Sequence, residues 1–223
     1  MRLLILSLLI ASYIFPGQVV TAQTSGEFEI GRAKYRGGGD WYNDPSSLTN
    51  LISFTKEQFP ISINSAYNDV SLGSTDLHSY PFIFLTGHGN ISINSSEANN
   101  LRTYLDNGGF LYIDDDYGLD EYARNMMKQV FPDEDFLELP YSHPIYNLVF
   151  NFENGLPKIH EHDNLSPRGY AIFRNGKMVV FYSLESNLGD GWADPEIHND
   201  PPAVRQKALQ MGANILIYAL TAL

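Results

Sequence analysis

The run Gly108-Gly109-Phe110-Leu111-Tyr112-Ile113-Asp114-Asp115-Asp116-Tyr117-Gly118 decides how this chain is read. Two glycines stop a helix, four apolar residues make a strand, and three carboxylates and a glycine follow it. A continuous apolar run of this length is the mark of a strand covered on both faces, as in a parallel sheet. In open α/β sheets, ligand sites lie beyond the carboxyl ends of such strands. The acids therefore mark the place of a site, though not a reaction.

Outward from this run, Phe82-Ile83-Phe84-Leu85 is a second strand of the same kind, ending in Thr86-Gly87-His88-Gly89. Between the two, Asn94 and Glu97 read as a capping box. Ala98, Leu101 and Leu105 line one helix face, and Gly108 stops that helix. Beyond the acids, Leu119, Tyr122, Ala123, Met126 and Val130 keep helical spacing until Pro132. Toward the N-terminus, Phe28 to Tyr35 reads as a strand with Phe28 and Ile30 on one face and Ala33 and Tyr35 on the other. It stops at Gly37-Gly38-Gly39. Asp44-Pro45 reads as the N-cap and first position of a helix carrying Leu48, Leu51, Ile52 and Thr55. Ile61 to Ile63 reads as a short second strand and Ser71 to Asp76 as a linker.

Downstream, Asn147 to Phe152 reads as a half-buried strand. Gly169 to Phe173 and Met178 to Tyr182 form a hairpin through Asn175-Gly176. Gly189 to Pro195 reads as a loop. Val204, Ala208, Met211, Ile215 and Ala219 give a final amphipathic helix, its apolar end too short to span a bilayer. Strands alternating with helices, then a hairpin, predict an α/β fold: a three-layer α/β/α sandwich with a mostly parallel sheet.

The chain has 223 residues, a net charge of −12 and no cysteine. Arg2, the apolar run Leu3 to Phe15 and Val20-Thr21-Ala22 predict a secretory signal over residues 1–22, which leaves one domain over 23–223. The expectation is an exported protein, periplasmic or extracellular. The missing cysteine excludes disulfides, thiolate metal sites and a thiol nucleophile. The acidity argues against nucleic acid and anionic membrane surfaces as partners.

Three stretches sit where strands give way to loops: Gly37 to Trp41, Thr86 to Gly89, and Asp114 to Gly118. In a parallel sheet they lie on one edge, and strand order decides whether they meet. Asp114 and Asp116 share a face if the strand persists. That pair suits a divalent cation with His88 as a further ligand, or acid/base work by His88, Asp115 or Asp116. It equally suits capping of the next helix. Gly38, Gly39, Asp40, Trp41, Gly87, His88 and Asp116 are the candidate ligand-binding residues. The glycine triplet lacks dinucleotide spacing and reads as a tight turn in preference to an anion nest. His160 and His162 read as a solvated loop in preference to a chelating pair.

Several blocks together resemble one family. They are Lys34-Tyr35-x-Gly37-Gly38-Gly39-Asp40-Trp41-Tyr42, Leu85-Thr86-Gly87-His88-Gly89, and Tyr104-Leu105-x-Asn107-Gly108-Gly109-Phe110 with Asp114-Asp115. His143-Pro144-Ile145, Gly191-Trp192 and Met211-Gly212-Ala213-Asn214 follow in order. The set is similar to the bacterial domain-of-unknown-function 4159 family over about residues 27 to 223. The resemblance implies a class I glutamine amidotransferase-like, flavodoxin-like fold and no established reaction. In that superfamily a nucleophilic cysteine sits in the turn after the matching strand. Here Asp115 and Asp116 occupy the turn, so cysteine-dependent amidotransfer is excluded.

The function expected from the sequence is a non-catalytic binding module for a small molecule, a glycan or a cell-envelope protein. The alternative is a metal-dependent hydrolase built on an Asp/His cluster. A third reading is a structural envelope component docked through the last helix.

Overall fold

A computed structural model describes residues 26–221. The signal predicted over residues 1–22 lies outside the described residues. The mixed α/β class expected from the sequence is what the chain adopts. Among the described residues, the strands are β1 (Phe28–Lys34), β2 (Ile63–Ser71), β3 (Phe82–Leu85), β4 (Phe110–Asp114), β5 (Leu137–Glu138), β6 (Arg168–Arg174) and β7 (Lys177–Leu184). The helices are α1 (Ser47–Gln58), α2 (Ser95–Asp106), α3 (Asp120–Val130), α4 (Leu188–Trp192), α5 (Pro195–His198) and α6 (Pro202–Thr221). All seven strands join one sheet in the order β2-β1-β3-β4-β7-β6-β5. Strands β2, β1, β3, β4 and β7 run parallel, β6 returns antiparallel to β7, and β5 pairs antiparallel to β6.

The central strands are apolar on both faces, and alternation sorts their side chains. Phe82, Phe84, Phe110, Tyr112 and Phe181 fall in one core cluster with residues of α1, α4 and α6. Ile83, Leu85, Leu111, Ile113 and Val180 fall in another with residues of α2 and α3. The first cluster is an aromatic ladder set by the register: Phe82 stacks on Phe110 at 6.0 Å, Phe84 on Tyr112 at 5.6 Å, and Tyr112 on Phe181 at 5.9 Å. Trp192 of α4 closes it, 5.4 Å from Phe84, with its indole N–H donated to Ala208 at 2.8 Å. Offset aromatic pairs of this kind add about 0.5–1.5 kcal/mol each beyond area burial.

Local signals explain most boundaries. The capping box at α2 is complete: Asn94 accepts from the Glu97 N–H and Glu97 accepts from the Asn94 N–H. Gly108 ends that helix with φ +96°. Gly109 is required by packing, because a Cβ there overlaps the Tyr104 ring. The Tyr104 hydroxyl donates to the Phe110 carbonyl at 3.0 Å and accepts from its N–H at 3.1 Å. Asn175 and Gly176 both take positive φ, the left-handed pair that joins β6 to β7.

Five expectations are corrected. The helix predicted from Asp44-Pro45 begins at Ser47 instead, because Asp44 takes φ +43° and turns away from a capping role. The second strand starts at Ile63 and runs to Ser71, and a short 3-10 turn at Thr75–Ser79 follows in place of a plain linker. The loop predicted over Gly189 to Pro195 holds the buried helix α4. Residues 147–152 are not a strand. Asn214, fully buried on α6, accepts from the N–H groups of Val149 and Phe150 and donates to the Phe150 carbonyl. One side chain thus does for this loop what a neighbouring strand would do.

Asn214→Ala leaves those backbone groups without partners, at a cost of about 2 kcal/mol. Urea denaturation should show a lower midpoint with an unchanged slope.

Candidate functional site

Because β1, β3, β4 and β7 are parallel, their carboxyl ends share one edge, and the loops that leave them meet there. The Tyr35 hydroxyl, just past β1, donates to the Thr86 carbonyl beyond β3 at 2.9 Å. Gly87 has φ +135°, and a Cβ there would crowd Tyr35 and Asp40, so glycine permits this approach. Asp40 accepts from the His88 backbone N–H at 2.6 Å and meets His88 Nδ1 at 3.0 Å. His88 Nδ1 also lies 3.2 Å from Asp116. Gly89 donates to the Tyr117 carbonyl at 3.2 Å, which ties the β3 loop to the β4 loop. The three predicted stretches therefore converge.

The glycine triplet is a pinned turn. Gly37 and Gly38 take positive φ, and Gly39 donates to the Asn90 carbonyl at 3.0 Å. Trp41 packs on the core cluster shared with α2 and α3, with Arg32 and Lys34 over its ring at 5.4 and 5.3 Å. Its ring is thus already engaged by the protein.

The three acids do three different things. Asp114 Oδ1 accepts from the hydroxyls of Tyr112 and Ser183, and Oδ2 accepts from the Gly189 N–H at 2.6 Å. Asp115 accepts from the Leu119 N–H at 2.9 Å and fixes the entry to α3. Asp116 alone of the three turns to His88, and Asn43 and Asn187 both donate to it. Strand alternation foretells the Asp114/Asp115 split, but Asp114 is absorbed into bonds between elements.

Around Asp116 gather residues that the sequence reading did not select. Asp44 and Asp190 bring their carboxylates close enough that all three acids lie within 4.8 Å of one another. His160, Asp190 and His198 form a second set within the same limit. His160 Nδ1 meets Asp190 at 2.7 Å and its Nε2 meets Asp200 at 3.0 Å. His198 Nε2 meets Asp44 at 2.9 Å. His162 faces Tyr117, ring centroids 4.6 Å apart, and its Nε2 lies 2.9 Å from the Asn187 amide. His160, half-buried, thus belongs to the site, while His162 stays exposed on the loop beside it. The signal for the others was the density of acids and histidine in Asp190, Asp194, Glu196, His198 and Asp200. Asp44 was hidden by its cap-like place before Pro45.

A model of the family described as "Domain of unknown function (DUF4159)" matches residues 29–220. The chain belongs to this family. No curated protein matches it.

In this DUF4159 member the electrostatics of the site follow from crowding of like charge. Burial, then the nearby charges of Asp190, Asp114 and Asp44, push Asp116 up to about 9. Burial raises Asp114 and Asp115 to about 6 each, against the hydrogen bonds they accept. Burial beside Asp190 also raises Asp44, despite His198. Burial opposes ionisation of Asp190 as well, but the His160 hydrogen bond and the histidine charges hold it below the usual range. His160 rises to about 9, chiefly through its bond to Asp190. Asp40 is held low by the two hydrogen bonds from His88, which outweigh its burial.

Linkage gives a definite sign. Asp114, Asp115, Asp116 and His160 bind protons more tightly folded than unfolded, so their stabilisation is lost as pH rises through the folded pKa. For Asp114 and Asp115 that window runs from the ordinary 3.8 to about 6, for Asp116 from 3.8 to about 9, and for His160 from 6.5 to about 9. Asp40 and Asp190 act oppositely and lose theirs below 3.8. Calorimetry in chelator should show a melting temperature that falls steadily from pH 6 to 9, with a shallower fall in Asp116→Asn. A rise over that range would contradict the assignment.

Proposed function

We propose that this chain is a metal-dependent hydrolase with its site at the carboxyl edge of the sheet. The observation that carries this reading is the set Asp44, Asp116 and Asp190, with all three carboxylates within 4.8 Å beside the His88–Asp40 pair. Oxygen ligands in this number suit Mg²⁺, Mn²⁺ or Ca²⁺. A cation there would neutralise the carboxylates and lower the pKa of a bound water, beside His88 as the group to take its proton.

His88 supplies what a cation does not. Asp40 accepts at Nδ1 and orients the ring, leaving Nε2 for an incoming group. A half-exposed imidazole so held accepts a proton from water or returns one to a leaving group. Asp116 reaches both His88 and the other two carboxylates, and links the two halves of the site.

The strand order β2-β1-β3-β4-β7 and the division of the core into two clusters support the finer fold reading. That reading is a flavodoxin-like three-layer sandwich of the class I glutamine amidotransferase-like kind. Without cysteine, thiol chemistry has no place in it. Export rests on residues 1–22 alone. No helix among the described residues is long and apolar enough to cross a membrane.

A non-catalytic binding module is the second reading. Tyr42 and Tyr117, exposed beside Asn43 and Asp116, favour it as a platform for a glycan. Two roomy hollows lie elsewhere on the chain. One of about 380 Å³ is lined by Phe152, Leu156 and Lys207, and one of about 360 Å³ by Leu139 and Tyr141. Neither is at the site. Envelope docking through the last helix draws no support from α6, whose apolar side chains are largely buried.

The test is metal analysis of protein purified without chelator, together with hydrolysis of nitrophenyl esters and phosphates. Bound cation is expected, with a thermal shift on adding Mg²⁺ or Mn²⁺. Asp116→Ala should abolish both metal and turnover. His88→Ala should keep the metal and slow turnover about 100-fold or more. Protein that takes up no metal and shows no shift overturns the reading. Metal without turnover on any substrate selects the binding module.

A further inference from the structure

We propose that the site holds two divalent cations bridged by Asp190. This rests on the metal reading above and extends it. Ligands of one cation lie about 2.0–2.6 Å from it, so any two are at most roughly 5 Å apart. The five ligand-type side chains do not make one such set. They make two, Asp44-Asp116-Asp190 and His160-Asp190-His198, and Asp190 belongs to both. One cation cannot draw on all five without rearrangement, whereas two cations sharing Asp190 can.

The two positions differ in chemistry. The first is all oxygen and suits a hard ion. The second offers two imidazoles and a carboxylate, a set for Zn²⁺, Mn²⁺ or Fe²⁺. Bridged pairs about 3.5–4 Å apart are the usual arrangement for in-line hydrolytic displacement. Asp44 also approaches the second set, 2.9 Å from His198.

A separate observation points to a bound positive group. Asn187 is fully buried, and its amide lies between Asp116, Asp190 and His162. Its Oδ1 has no hydrogen-bond partner among the described residues, and neither has the buried Oδ1 of Asn43. Both amides donate to Asp116. Flipping the Asn187 amide would set its oxygen against the Asp116 backbone carbonyl. Buried acceptors of this kind are rare in folded proteins. A cation, or the water bound to one, would meet them.

The measurement is metal stoichiometry on the full chain, stripped with EDTA and dialysed against Mn²⁺, with electron paramagnetic resonance of the product. Two Mn²⁺ per chain with an exchange-coupled signal are expected. His160→Ala/His198→Ala should hold one, uncoupled, and Asp190→Asn less than one. If the double variant fails to fold by circular dichroism, His198→Ala on the short, exposed α5 gives the same reading. Wild type that holds one Mn²⁺, retained in these His variants, overturns the bridged pair and leaves the single-metal hydrolase standing. Two Mn²⁺ without coupling likewise overturn the bridge. Wild type that holds none overturns both readings.

Discussion

The carboxylate of Asp114 is the tie on which the site depends. It is buried at the end of β4 and accepts from Ser183 at the end of β7 and from the Gly189 N–H at the start of α4. Those bonds fix the distance between the β4 loop, which carries Asp116, and α4, which carries Asp190. The aromatic ladder beneath, with Trp192 packed on Phe84, holds α4 against the sheet from the other side. The start of α1 is drawn to the same place. Ser47 donates to the Gly189 carbonyl at 2.7 Å, and Asn50 to the Trp192 carbonyl at 2.9 Å. Asp44, three residues before Ser47, is thereby delivered to Asp190. Three acids distant in sequence meet because one acid, which takes no part in the cluster, pins the strand ends together.

Such a meeting carries an electrostatic cost. Like charges a few ångströms apart and out of water cannot all stay ionised. The protein meets this by placing protons and histidines among them. Asp116 rises to about 9, and His160 rises to about 9 beside Asp190. A cation would answer the same demand with greater charge in less space, and the proposed chemistry follows from that exchange. The orphaned amide oxygens of Asn43 and Asn187 belong to the same account, since no hydrogen-bond donor among the described residues meets either of them.

How much of this was legible in the sequence depended on whether the signals were local. Strands β3 and β4 were legible because burial on both faces demands unbroken apolar runs. The Asn94/Glu97 box and Asn175-Gly176 were legible because their bonds close within a few residues. Strand β2 was not, because it is a polar edge strand whose ladder is with β1 alone. The apparent strand at 147–152 was satisfied instead by Asn214, about sixty residues on. The same division runs through the site. His88, Asp40 and Asp116 stood at strand ends and were found. Asp44 resembled a helix cap, and Asp190 and His198 are carried by two short helices that no periodicity announces, with Asp200 just beyond the second. The composition of that segment was the only hint, and it gave no partner for Asp190.

Anomalous diffraction from crystals soaked in Mn²⁺ tests the central claim most directly. The account predicts a strong peak about 2.0–2.6 Å from oxygens of Asp44, Asp116 and Asp190. It would be contradicted by soaked crystals in which the peaks lie only on the outer surface while the His160–Asp190 and His198–Asp44 pairs remain closed.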